Sequence, residues 1–283
     1  MSILRKSIFI TALLVFILSS GKLIQYYGEG LLAEKAFDDL SSKINDTKAD
    51  LKTKKGTVMG KYVRLYKKNK DMIGWLIIDD SKIDYPVMQT AGKKQAPQYY
   101  LRKDFEKNYK ISGTPFMDAD SSVYKPTDNW IIYGHNMNNG SMFANILRYD
   151  DKKFFQKHRY IYFDTVYKIG VYEVFAASKT QIYSNDSDVF QYYRYPAIDN
   201  KEDYDMYVRK VKEMSSVKVK TTPKYSQQLL TLSTCSYHLS DRDRGRYFVV
   251  AREINAKKYY LKKLQKILNA AQSWTDVKLS WLK

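Results

Sequence analysis

Between Gly74 and Glu253 the chain is cut into short runs of β-branched, aromatic and aliphatic residues separated by turn-forming clusters. That pattern limits the fold more than any other feature, because such runs bounded by Gly, Pro, Asn, Asp and Ser read as strands. Gly74-Trp75-Leu76-Ile77-Ile78 and Ile83-Asp84-Tyr85-Pro86-Val87 flank Asp79-Asp80-Ser81-Lys82, a turn signal. Pro86 places its strand at an edge or a strand end, since proline gives no ladder hydrogen bond. Asn129-Trp130-Ile131-Ile132-Tyr133 runs into Gly134-His135, and residues 160–164, 170–177 and 178–184 read as three further strands. The last two runs are Leu229-Leu230-Thr231-Leu232-Ser233-Thr234-Cys235-Ser236-Tyr237 and Arg246-Tyr247-Phe248-Val249-Val250-Ala251-Arg252, joined by a polar loop. Helical spacing is local: residues 143–155, and Tyr204, Tyr207, Val208, Val211 and Met214 over 202–215. Strands that do not alternate with helices argue for an antiparallel or mixed barrel rather than a βαβ fold.

Cys235, the single cysteine, sits where the first run of that last pair ends. A thiol at a strand end is held by the sheet and reachable from solvent, which suits a nucleophile. Composition alone also allows an inert cysteine packed as a small hydrophobe. Of the three histidines, His158 lies in the charged Lys157-His158-Arg159 and reads as solvated. His238 is three residues past Cys235 and would face the opposite side of a continued strand. His135 follows an apolar strand and a glycine, so it is both positioned and accessible.

Thr231-Leu232-Ser233-Thr234-Cys235 resembles the T-L-x-T-C signature of the sortases, the cysteine transpeptidases of Gram-positive cell surfaces. Arg246, six residues before Arg252, matches the arginine of that family's last strand, and Ile131-Ile132-Tyr133-Gly134-His135-Asn136-Met137 resembles its histidine segment. Trp75, Ile83-Asp84-Tyr85-Pro86-Val87, Tyr99-Tyr100-Leu101 and Asp104-Phe105 follow in the order of class B sortases, so the likeness spans residues 62–254. The resemblance implies a mainly β fold, a closed barrel of about eight strands with N-terminal helices and a helix before the cysteine strand.

It also implies roles. Cys235 would attack the scissile carbonyl, His135 would protonate the departing amine, and Arg246 would hold the oxyanion with a guanidinium whose charge is permanent. Arg242, Arg244, Arg246 and Arg252 share parity, so alternation cannot choose among them; the place of Arg246 directly before the apolar run does. Some relatives carry a carboxylate two residues after the cysteine, but here that position is Tyr237, so no Cys-His-Asp triad is expected. Leu101, Thr180 and Ser233 fall in segments that line the signal groove of relatives. The implied substrate is a C-terminal sorting signal of a surface protein, cut between Thr and Gly. The implied acceptor is an amine of the peptidoglycan precursor. A pilin-polymerising sortase and a non-catalytic, membrane-tethered wall-binding module are the alternatives. No cofactor and no metal is expected.

Charge and the termini complete the reading. The chain has 48 Lys and Arg against 30 Asp and Glu, a net +18, which suggests an anionic neighbour such as a membrane or wall polymer. No zinc-finger, RNP or homeodomain pattern accompanies the charge, so nucleic acid is not an expected partner. One cysteine excludes an internal disulfide framework and a Cys-based zinc site. Residues 1–27 carry Arg5-Lys6 and then an apolar run. From Ser7 to Ile24 a helix would be about 27 Å long, near the hydrocarbon thickness. It reads as a signal anchor with its basic end cytoplasmic and the rest extracellular, or as a signal peptide cut near Ser19-Ser20-Gly21. The absence of a clean A-x-A site favours the anchor. Residues 28–72 read as two helices, or a helix and a stalk, interrupted at Gly56 and Gly60. Residues 73–254 form the catalytic barrel. Residues 255–283 form a basic amphipathic tail with Leu261, Leu264, Ile267, Leu268, Ala271, Trp274 and Trp281.

Overall fold

The computed structural model of the chain describes residues 3–45, 48–90, 97–184, 186–241 and 243–280, with side chains described as far as Leu268. Helix α1 spans Ile3–Ser42 without a break at the expected boundary near residue 27. Its first half is apolar and exposed, while Ala33, Phe37 and Leu40 are buried against the barrel. Within α1, from Arg5 onward, lies a stretch long and apolar enough to cross a membrane, with mean hydropathy 2.1. A small hairpin follows, β1 (Leu51–Thr53) and β2 (Gly56–Val58). Where the sequence suggests two helices, or a helix and a stalk, over 28–72, this hairpin separates two helices: Gly56 adopts φ +137°, a left-handed backbone that turns the chain. Helix α2 (Gly60–Lys68) then buries Tyr62, Val63, Leu65 and Tyr66.

The barrel comprises β3 (Met72–Ile77), β4 (Asp84–Met88), β5 (Phe116–Met117), β6 (Asn129–Tyr133), β7 (Tyr160–Thr165), β8 (Val171–Gln181), β9 (Leu229–Cys235) and β10 (Gly245–Ile254). It closes in the order β10-β8-β7-β3-β4-β5-β6-β9, mostly antiparallel, with β4/β5 and β6/β9 parallel. Pro86 is tolerated in β4 because pairing on that strand's second side begins only at Met88. The expected pair of strands over 170–184 is one strand, β8. Gly245 to Ile254 give it a continuous partner, and a register shift between Val250 and Ala251 absorbs the irregularity.

Alternation sorts the wall into two faces. Leu230 and Leu232 of β9 and Tyr247, Val249 and Ala251 of β10 join the main core with Trp75, Trp130 and Ile132. Leu229, Phe248 and Val250, of opposite parity, join a second cluster outside the barrel. Helix α3 (Lys152–Lys157) precedes β7, and α4 (Lys201–Met214) covers that outer face with Tyr204, Tyr207, Val208 and Val211. Fully burying such side chains stabilises by about 1.5–3 kcal/mol each. Helix α5 (Ala256–Ser280) leaves the barrel after β10.

Candidate active site

The outer face of β9 carries Leu229, Thr231, Ser233 and Cys235 in succession, and α4 covers only the first part of it. Tyr207 donates or accepts at Thr231 (3.3 Å), and Tyr192, stacked on Phe248 at 4.4 Å, hydrogen-bonds the Ser233 hydroxyl at 2.6 Å. Beyond Tyr192 the cover ends, and Cys235 is partly exposed at the mouth of a cleft of about 420 Å³. The buried reading of the cysteine therefore does not hold.

Strand pairing brings three side chains together. Arg246 on β10 is the registered partner of Cys235, so both side chains emerge on the outer face of neighbouring strands. On the other side β6 runs parallel to β9 with Tyr133 opposite Ser233. Gly134 N–H donates to Ser233 O (3.1 Å) and Thr234 Oγ1 donates to Gly134 O (2.7 Å), which carries His135 to the level of Cys235. Phe143 packs on Gly134 so closely that a Cβ there would lie 2.7 Å from the ring, and Phe143 N–H donates to His135 O (2.8 Å). His135, Cys235 and Arg246 all line the cleft.

His135 is partly buried, and its Nε2–H donates to the Leu101 carbonyl at 2.8 Å. Burial holds the imidazole below its ordinary value of 6.5; the Leu101 bond opposes this and the charge of Arg102 reinforces it. Arg246 Nη1 donates to Asp243 O (2.7 Å) and Gly245 O (2.9 Å), two backbone acceptors that fix the guanidinium. Arg244 lies just before β10, and its Nε donates to Ile182 O at 3.2 Å. Arg252 lies at the far end of β10 on Glu173 (2.7 Å), and Arg242 falls outside the described residues.

Leu101 and Ser233 line the cleft, though the Ser233 hydroxyl is occupied by Tyr192 and forms floor rather than a free donor. Thr180 does not line it: this buried residue is the β8 partner of Arg246, one strand further from the opening, and Ile182 takes the lining place. His238 is exposed and contacts Ser236 Oγ (3.0 Å) outside the cleft. His158 is not solvated as its charged neighbours suggest. It is buried, stacked on Phe154 at 3.8 Å, with its Nδ1–H donating to Phe154 O (2.8 Å) as it ends α3.

A sortase domain model matches residues 76–254 of this chain. The chain belongs to the sortase family. Sortase B of Listeria monocytogenes is 31% identical over 248 residues, 88% of this chain and 96% of that protein. The Staphylococcus aureus sortase B–substrate complex superposes with TM-score 0.63 at 27% identity, over 84% of this chain and 98% of that one. A sortase B complexed with triglycine does so with TM-score 0.63 at 26% identity, over 84% and 99%. The class is B, the closed barrel is that of sortase B structures, and the protein is a cysteine transpeptidase.

This sortase's cleft has walls that strand patterns do not reveal. Asp118 and Asp120 form one side, where Tyr133 OH donates to Asp118 (3.0 Å) and burial raises the Asp118 carboxyl above its ordinary value. Tyr192 and Tyr193 form another. The Asp118-Ala119-Asp120 turn and the Phe190-Gln191-Tyr192-Tyr193 run are the available signals, a charged turn before β6 and an aromatic cluster outside any strand.

Proposed function

We propose that Cys235 is the nucleophile, His135 the proton carrier and Arg246 the oxyanion donor of a transpeptidation on sorting-signal peptides. The Cys235 thiolate bonds to the scissile carbonyl carbon, and the charge that moves to the carbonyl oxygen meets the Arg246 guanidinium. Imidazolium at His135 passes its proton to the departing amide nitrogen as the C–N bond breaks. With Nε2 held by Leu101 O, Nδ1 is the nitrogen that exchanges this proton. The thioester is then attacked by an amine, which gives its proton back to His135 as the C–S bond breaks. Leu101 and Ser233 contact the signal in the cleft, and Thr180 supports Arg246 from the next strand. The relatives solved with a substrate and with triglycine support a sorting-signal donor and an amine acceptor, here that of the peptidoglycan precursor.

The observation that carries this reading is the register: Arg246 opposite Cys235, with His135 two residues past the end of the parallel strand β6 beside them. Incubation with a panel of fluorogenic sorting peptides, with and without an amine, tests it. Cleavage that an amine converts to ligated product, absent in Cys235→Ala, is expected; cleavage retained by Cys235→Ala would refute it. We further infer that the apolar half of α1 anchors the enzyme, with the N-terminus cytoplasmic and the barrel outside, residues 28–72 joining the two. The basic Arg5-Lys6 and the exposed apolar surface support this. A mature N-terminus near Lys22 on the native protein would instead establish a cleaved signal peptide.

A further inference from the structure

Helix α5 plays no part in the cleft, and its chemistry is unusual. Over residues 256–268 it holds five lysines, Lys257, Lys258, Lys262, Lys263 and Lys266, and no acidic residue. Leu261, Leu264, Ile267 and Leu268, at helical spacing on one stripe, are 57%, 52%, 58% and 54% exposed. Four large aliphatic side chains left this open on one helix mark an unfilled apolar face. The first two turns of α5 are docked: Tyr259 hydroxyl meets Tyr162 hydroxyl at 2.7 Å, Tyr160 and Tyr259 rings lie 4.8 Å apart, and Lys263 pairs with Asp79 at 3.6 Å. Lys257, Lys258, Lys262 and Lys266 enter no ion pair among the described residues.

Where α5 is rooted matters as much as its composition. Asp79 opens the turn between β3 and β4, and Lys82 of the same turn pairs with Glu34 of α1 at 2.6 Å. One turn therefore ties down both the tail helix and the apolar N-terminal helix. Glu34 is ten residues past Ile24, the end of the apolar run, about 15 Å along a helix. The exposed stripe of α5 begins at that end of the barrel.

We propose that α5 lies on the surface of an anionic lipid bilayer, its leucine stripe in the acyl boundary and its four unpaired lysines on the headgroups. A basic amphipathic helix with an open aliphatic face binds such an interface through buried apolar area and charge together. A soluble anionic polymer would satisfy the lysines but offers the leucines no apolar phase. The inference rests on the reading that α1 spans a membrane, and it sets a second contact that fixes how the barrel is held above that surface.

The test uses the full chain with vesicles of phosphatidylcholine alone and of phosphatidylcholine with phosphatidylglycerol. Flotation on both vesicle types reports α1; amide hydrogen exchange over residues 256–268 reports α5. Exchange at least tenfold slower on the anionic vesicles is expected. Leu264→Glu with Ile267→Glu should abolish that protection while β9 and β10 exchange as before. A chain that floats on both vesicle types yet exchanges equally on both overturns the inference and leaves the anchor standing. A chain that floats only on anionic vesicles, with 256–268 protected there, supports α5 and removes the anchor. Equal protection by a soluble polyanion, or protection that survives the double substitution, overturns the bilayer assignment.

Discussion

Arg246 gives the sharpest perturbation, because a second arginine two residues away serves as an internal control. Its Nη1 is held by two backbone carbonyls, Asp243 O at 2.7 Å and Gly245 O at 2.9 Å, which aim the guanidinium without consuming its other donors. Its Cα is registered with that of Cys235, so in the proposed reaction those donors would stand beside the carbon that the sulfur attacks. Removing one oxyanion donor from a pre-formed site costs about 2.7–4 kcal/mol, or 100- to 1,000-fold in kcat. Arg246→Ala should fall by that factor with KM little changed, since the interaction exists only in the transition state. Arg246→Lys should recover part of the loss, a single ammonium being unable to reproduce the fork. Arg244 makes one exposed bond, to Ile182 O at 3.2 Å. Its removal should cost about 0.5–1.5 kcal/mol of stability and leave turnover nearly unchanged. The assay is initial-rate kinetics of the three variants on one fluorogenic peptide, with thermal melts to confirm folding. An active Arg246→Ala beside a dead Arg244→Ala would reverse the assignment.

The histidines should separate by environment. His135→Ala should lose several orders of magnitude in kcat and His238→Ala little, whereas His158→Ala should lower Tm without lowering activity per folded molecule, because it empties a buried stack on Phe154; a melt unchanged in His158→Ala would contradict this. Burial depresses His135 below 6.5, so the unfolded chain takes up this proton first as pH falls. This group's contribution should make stability decline as pH falls from about 6.5 through the folded midpoint, and stay level above about pH 6.5. An NMR titration placing His135 at or above 6.5 would remove that account. Gly245→Ala should also damage turnover, since a Cβ there would sit 1.9 Å from Ser236 O and must shift the β9–β10 hairpin that sets Cys235 against Arg246. Circular dichroism and kcat together check it, and wild-type values in both would show that the hairpin absorbs the methyl group.

Much of the barrel is legible in the amino-acid order, and particular residues show why. Strands β3, β4, β6, β9 and β10 carry alternating or continuous apolar runs with turn residues at their ends, so local pattern and tertiary pairing agree. β8 reads as two strands because the small and polar Ala176-Ala177-Ser178-Lys179 looks like a break, and only the length of β10 opposite makes it continuous. The β1–β2 hairpin escapes pattern reading because its three-residue strands are too short to show a period. His158 misleads for a related reason: Lys157 is exposed and Arg159 is drawn onto Glu173 at 2.5 Å, while the helix end turns the ring between them onto Phe154. At the site, Cys235, His135 and Arg246 are legible because they sit at strand ends. Ile182, Tyr192, Tyr193, Asp118 and Asp120 form the walls because the segments that follow β8 and precede β6 meet at the cleft, which no local pattern encodes.

The proposed transpeptidation depends above all on an acyl-enzyme formed at Cys235. Intact-protein mass spectrometry after incubation with a cognate sorting peptide, without acceptor, tests it most directly. One adduct with the mass of the N-terminal peptide fragment is expected, located on Cys235 by fragmentation and discharged when a glycine-based amine is added. Turnover of the same peptide with no adduct at Cys235, and undiminished turnover in Cys235→Ala, would contradict it.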